Sequence, residues 1–292
     1  MTWSTGQASY AGSRDVGLPQ VAHSRIQHIA AAGGAAGSLL ANSDYLTLHD
    51  AGLEAIGAVV GVSVVHLGQF QLAGLRAPVE LEAFSQAITL GYGNAFTRMR
   101  QEAAELGADG VFLQKSGSRR FDGEEHEYSC RGTALRFRPQ PGALRAPTGL
   151  PFLANCTAMS LYQYLRRGLC PVSFEYHACV YHVPHRTMRQ ALGQTFQNTE
   201  VPVFTEGWYT AREIALSRLQ MGLEQAGAEL ILGMGVDEEE GAFGEHTAEF
   251  RAYGRGWRRV PGLAGQIPQV DLTGPSLIDR DNAYPITTLR GE

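Results

Sequence analysis

Lysine is nearly missing from this chain. Lys115 is the single one among 292 residues, and every other basic side chain apart from histidine is an arginine. Chemistry that needs lysine, such as P-loop phosphate binding or Schiff-base formation, therefore rests on Lys115 or does not occur. Cysteine is also scarce. Cys130, Cys156, Cys170 and Cys179 form no C-x-x-C pair, and a chain of this size needs no disulfide staples, so they read as reduced, mostly buried thiols. No apolar run approaches the ~20 residues of a membrane-spanning helix. The longest, near Ala55 to Leu67, is broken by glycine. The opening residues MTWSTGQASYAGSRDVG show no basic start followed by an apolar stretch, so no secretory signal is expected and a cytoplasmic location follows. A basic excess is absent too: 24 Lys and Arg against 29 Asp and Glu leave a net charge of −5. That argues against a nucleic-acid partner. There is no G-x-S-x-G or H-E-x-x-H, and the glycine-rich stretch Gly91 to Phe96 falls inside a helical register rather than after a strand, which fails the context of a dinucleotide loop.

What the chain has in quantity is glycine, 35 residues, within an apolar share of 44%. Such a composition can bury a core. The chain also repeats itself. G-L-E-A-I at Gly52 matches G-L-C-P-V at Gly168, S-V-V-H-L at Ser63 matches C-V-Y-H-V at Cys179, and E-L-E-A-F-S at Glu80 matches E-V-P-V-F-T at Glu200. Further on, A-F-T-R-M at Ala95 meets A-L-S-R-L at Ala215, G-A-D-G-V at Gly107 meets G-A-E-L-I at Gly227, and E-Y-S-C-R-G at Glu127 meets E-F-R-A-Y-G at Glu249. Similar segments in the same order with small insertions mark a tandem duplication. The expected boundaries are a flexible Gly/Ala-rich lead over 1–42, repeat one over 43–138, a Pro/Gly linker over 139–150, repeat two over 151–260, and an extended or disordered tail over 261–292.

Each repeat reads as a short helix, a strand, a long helix and two strands. Ser43 or Asp44 is placed to cap the first short helix, and Ser85 and Thr205 the long ones. Gly107 and Gly227 follow the long helices, where a left-handed residue favours glycine. Acidic hairpin loops are expected at Phe121 to Glu125 and Asp237 to Glu240. The fold class is therefore α+β: two tandem β-α-β-β repeats, each a small antiparallel sheet covered by one long helix. The second face of each sheet must be buried by the sister repeat or another subunit, and open edges invite pairing. Both point to a homo-oligomer.

Thr205-Glu206, Y-T-A-R-E-I-A-L-S-R-L from Tyr209 to Leu219, and G-A-E-L-I-L-G from Gly227 to Gly233 resemble the YbjQ-like family, commonly described as a heavy-metal-binding domain. Repeat one carries a more worn copy: Ala95, Arg98, Met99, L-G-A-D-G-V from Leu106 and R-G-T-A-L from Arg131. Repeat two departs at its end, with G-R-G-W from Gly254 where the family has G-T-A-V. The resemblance covers both repeats and neither tail. It implies a β-α-β-β fold that assembles into rings, typically five-membered, and no known reaction. Covalently paired repeats do not fill one five-membered ring evenly, so either each repeat type forms its own ring, stacked, or the count differs.

The densest chemistry lies between Cys170 and His185. Cys170, His177, Cys179, His182 and His185 offer thiolate and imidazole ligands suited to zinc or a soft metal. On a strand, His177 and Cys179 share one face and Cys170 and His182 the other. Buried thiols and strand-end imidazoles account for the same residues. The acidic run Asp237 to Glu240, with Glu245 and His246, reads as a solvated loop or a collector of a hard cation. Arg98 and Arg218, at matching helix positions, read as ion-pair partners, Arg98 with Glu102, or as an anion site. The leading expectation is a non-enzymatic assembly protein that forms a ring-like homo-oligomer and binds a protein partner. The alternative is a metal-binding or metal-sensing protein, and the third an enzyme with a site between repeats or subunits.

Overall fold

The computed structural model describes residues 17–32, 37–68, 77–122, 124–183, 201–240 and 247–269. Helices α1 (Gln20–Ala32) and α2 (Asn42–Asp50) precede strand β1 (Leu53–His66), the two-residue β2 (Val79–Glu80), helix α3 (Glu82–Glu105) and the strands β3 (Gly110–Asp122) and β4 (Glu125–Phe137). After them come β5 (Phe152–Ala154), α4 (Ala158–Leu165), β6 (Leu169–His182), α5 (Pro202–Gln225), β7 (Leu230–Glu240), β8 (Thr247–Arg259) and α6 (Leu263–Gln266). The chain is α+β, and the order strand, long helix, strand, strand occurs twice, as β1-α3-β3-β4 and β6-α5-β7-β8.

Two four-stranded sheets result, ordered β1-β4-β3-β5 and β2-β6-β8-β7. Each is braced by a short strand from the other half of the chain. β5 joins β3 in parallel, and β2 joins β6 antiparallel through Val79↔His182 and Glu80↔Tyr181. The layers run first sheet, α3, second sheet, α5. One apolar core holds Val59, Tyr92, Met99, Val111 and Cys130 together with Phe174, Tyr176, Ala178 and Val180, so α3 is enclosed between both sheets. A second core, with Cys179, Ala211, Ala215, Leu219 and Phe250, lies between the other face of the second sheet and α5. A third closes the end of the molecule, where Leu48, Leu144, Leu161 and Trp257 meet.

Glycine sets how close the helices come. A Cβ on Gly61 would lie 1.9 Å from the Ala95 carbonyl oxygen, so α3 presses on β1 where there is no side chain. The second half reverses the arrangement. His177 stands at the matching strand position, and on α5 Gly222 replaces Glu102; a Cβ there would lie 2.6 Å from His177 Nε2. Bulk has moved from helix to strand. Gly107 and Gly227 take φ of +78° and +91°, the left-handed ends expected after the long helices.

Several local expectations are corrected. α2 begins after Ala41, which makes no side-chain cap, rather than at Ser43 or Asp44. α3 begins at Glu82, a turn before Ser85, and α5 at Pro202, a turn before Thr205. Pro202 fits an N-terminal helix position because its missing N–H would have had no partner there. Part of the stretch read as a flexible lead is helical: α1 lies against α3, with Arg25 Nη2 2.7 Å from Glu102 Oε2 and Ile26 buried. The tail keeps one turn, α6, whose Leu263 enters the third core. The acidic run Asp237 to Glu240 is strand rather than loop, since all four residues belong to β7, and Glu245 and His246 lie outside the described residues.

Candidate functional site

The contact between α3 and β6 is built rung by rung. Ser85 Oγ accepts the Val180 N–H at 2.9 Å, and Thr89 Oγ1 accepts the Ala178 N–H at 3.0 Å. Tyr92 packs on Tyr176 with ring centroids 3.9 Å apart, and Phe96 meets Phe174 edge-on at 5.7 Å. Arg100 donates to the Pro151 and Val172 carbonyls at 2.7 and 3.3 Å. Positions 85, 89, 92, 96 and 100 thus step along one helix face while 180, 178, 176, 174 and 172 step back along the strand. The hydroxyls of Ser85 and Thr89 satisfy strand N–H groups that face no neighbouring strand.

Among the described residues, nothing covers the counterparts of these two surfaces. On β1, Val60, Val62 and Val64 match Tyr176, Ala178 and Val180 in the repeat alignment. They are 45%, 42% and 54% exposed, against 3%, 0% and 0% for the residues they match. β1 is also the edge strand of its sheet. On α5, Thr205, Tyr209, Arg212, Leu216 and Gln220 match the α3 rungs. All are exposed or half-buried, and Tyr209 is 56% exposed with the Arg212 guanidinium 4.5 Å above its ring. A shallow groove beside this stripe is lined by Glu206, Tyr209, Thr210, Glu213, Ile214 and Arg218. Three valines in a row on an edge strand form the kind of surface that pairs with another protein.

The Cys and His residues are distributed as follows. His177 and Cys179 face α5, as strand alternation requires, and His177 Nε2 lies 3.1 Å from Glu175 Oε2. Cys170 lies before a bulge at Pro171–Ser173 that breaks the alternation. It packs in the third core and donates to the Leu144 carbonyl at 3.6 Å. Burial pushes the Cys170 thiol up to about 12 against the pull of Arg258; burial, helped by Glu80, does the same to Cys179. His182 is buried where β2 meets β6, and His185 lies outside the described residues. Among the described residues, no three His, Cys, Asp or Glu side chains are grouped to hold a metal ion. Arg218 pairs with both carboxylate oxygens of Glu80, and Arg98 donates to the Val62 carbonyl at 2.7 Å rather than to Glu102.

No protein-family model and no solved structure matches the chain. Over 223 residues it is 38% identical to the encapsulin nanocompartment protein Rv1762c of Mycobacterium tuberculosis, a match that spans 76% of this chain and 85% of that protein. The chain belongs to the family of that protein. Over 88 residues it is also 31% identical to a UPF0145 protein of Lactobacillus johnsonii, covering 29% of this chain and 82% of the relative. The second likeness accords with the YbjQ-like resemblance, and nearly the whole relative fits within a stretch the length of one β-α-β-β unit.

A buried polar cluster in the α3–β6 seam was not foreseen. Glu249 and Arg251 point from β8 toward α3, and both are buried. Arg251 Nη2 holds Glu239 at 2.6 Å, and its Nε lies 3.4 Å from Glu249. Burial pushes the Glu249 carboxyl up to about 7; Arg251 opposes this and Glu239 adds to it. Burial also raises the Tyr92 and Tyr176 hydroxyls. The one signal in the sequence was the alternation Glu249, Arg251, Tyr253 between apolar Phe250 and Ala252, which by itself describes a solvated sheet face.

Proposed function

We propose that the protein is a non-enzymatic assembly protein that builds ring-like homo-oligomers and presents them to a protein partner. The observation that carries this is the bare β1 face: an apolar stripe whose repeat counterpart is covered by a helix. An exposed valine stripe on an edge strand is a surface that monomeric proteins avoid. The relative at 38% identity is named as a protein of an encapsulin nanocompartment, and on that likeness the proposed partner is a protein compartment of the same kind. Because α3 lies between both sheets, the two units of one chain follow each other along one row. That favours one ring in which every chain supplies two consecutive units over separate stacked rings. Native mass spectrometry tests the reading: a particle of several chains is expected, and a single-chain particle at micromolar concentration overturns it.

A second reading assigns a zinc-like or soft metal to Cys170, His177, Cys179, His182 and His185. The observation in its favour is the His177–Glu175 pair on the face of β6 that also carries Cys179; Cys170 and His182 lie in other parts of the fold, so these ligands would have to come together on metal binding. Elemental analysis of untagged protein, with Cys179→Ser beside it, decides the point: stoichiometric metal lost in the variant supports the reading, and metal-free protein removes it.

A further inference from the structure

We infer that the outer face of β1 in one copy receives the outer face of α5 of a second copy, in the register that α3 and β6 use within the chain. The inference rests on the homo-oligomer reading and names its interface. Matching residues rung by rung, Thr205 meets Val64, Tyr209 meets Val62 and Arg212 meets Val60; the next position, Ala58, is already met by Arg25, which donates to its carbonyl, and its strand partner Thr133 is covered by Leu39.

Three features of the molecule select a second copy as the occupant. The first is continuity. The chain already contains this contact once, with α3 seated on β6 through hydroxyl-to-strand bonds at Ser85 and Thr89, and Thr205 carries a hydroxyl at the position of Ser85. The second is that each uncovered surface is the missing half of the other. Among the described residues, no helix covers Val60 to Val64 of β1 and no second sheet covers the outer side of α5. The third is charge. Strand register puts Lys115 and Arg131 beside Val60 on the outer sheet face, where Arg119 and Glu127 neutralise each other at 2.6 Å. The outer side of α5 carries Glu206 and Glu213 against Arg212. In this register Arg212 arrives beside Lys115 and Arg131, so the attraction rests on Glu206 and Glu213, the latter 3.5 Å from the Arg212 guanidinium.

A contact of this kind is heterologous: the surface used on one copy differs from that used on the next, so repetition gives a closed ring or an open filament. The sheet–helix–sheet–helix order continues through each new junction. A ring built this way holds an even number of units.

The test is disulfide capture. The four native thiols are buried and stay out of the way. Val60→Cys and Arg212→Cys are made singly and together, then mildly oxidised and run on a non-reducing gel, with the native mass of each variant measured alongside. The expected result is a covalent ladder from the double variant, a single cross-linked dimer when the two single variants are co-expressed, and no cross-link from either alone. Val62→Cys with Tyr209→Cys, one rung along, gives the same ladder, whereas the off-register pair Val60→Cys with Thr205→Cys does not. Self-cross-linking of Val60→Cys alone means sheet-to-sheet pairing and overturns the inference. So does an oligomer of unchanged mass in which neither in-register pair is captured, although the assembly reading then stands. A monomeric particle, the result if another segment of the same chain covers β1, overturns both.

Discussion

Glu249 sits between two influences in the seam under α3. Arg251 is close enough to favour its charge, and Glu239, which holds Arg251 from the other side, opposes it. Burial dominates and lifts the carboxyl to about 7. The folded chain therefore keeps a proton that the unfolded chain releases in the ordinary carboxylate range. The native state binds more protons, so stability contributed by this group is full at low pH and is lost as pH rises through about 7. Glu249→Gln should abolish that dependence. Thermal unfolding followed at about pH 5 and about pH 8 is expected to show the wild type losing ground to the variant at the higher pH; equal shifts at both would contradict this assignment. Repeat matching placed Glu249 opposite Glu127 but carried no hint of burial. Alternating charge on a strand signals solvent, and only the packing of a helix from the other half of the chain makes that face an interior.

At the scale of elements, the approach of α3 to β1 depends on a missing side chain at Gly61. Alanine there would drive a methyl group into the Ala95 carbonyl and toward the Met99 N–H, 2.9 Å away. Both are helix backbone and cannot rotate aside. Gly61→Ala is expected to cost about 1–3 kcal/mol, the usual range for overpacking, measured by urea denaturation. Gly93, on the same helix, has open space around its Cβ position, so Gly93→Ala should stabilise by about 0.5–1 kcal/mol through helix propensity. Equal effects of the two would remove the close-approach argument. Long elements were legible: β1 from its valine content, β6 as its partner in the segment matching, α3 and α5 from helical spacing, and their ends from Gly107 and Gly227. The shortest strands were not. β2 and β5 have two and three residues, too few to show a period, yet they tie each sheet to the other half. Pro171 hid the bulge that turns Cys170 away from the strand alternation.

Across the whole molecule, the order strand, long helix, strand, strand occurs twice, and one sheet face and one helix face find partners inside the chain whereas, among the described residues, the matching pair does not. The recurring element order and the need for further burial were readable from sequence, because like segments recur in order and one helix cannot cover both faces of a sheet. Which face would remain bare was not readable, since Val60, Val62 and Val64 look like core residues in any β pattern. The most direct measurement is the native mass of the wild type beside Val62→Glu. Val62 is exposed in the single chain, so the substitution should leave the fold and its circular dichroism unchanged. A wild-type particle of several chains that falls to the 31.6 kDa of one chain in Val62→Glu is the expected result. A wild-type particle of one chain, or a folded Val62→Glu protein of unchanged multimeric mass, would contradict assembly through β1.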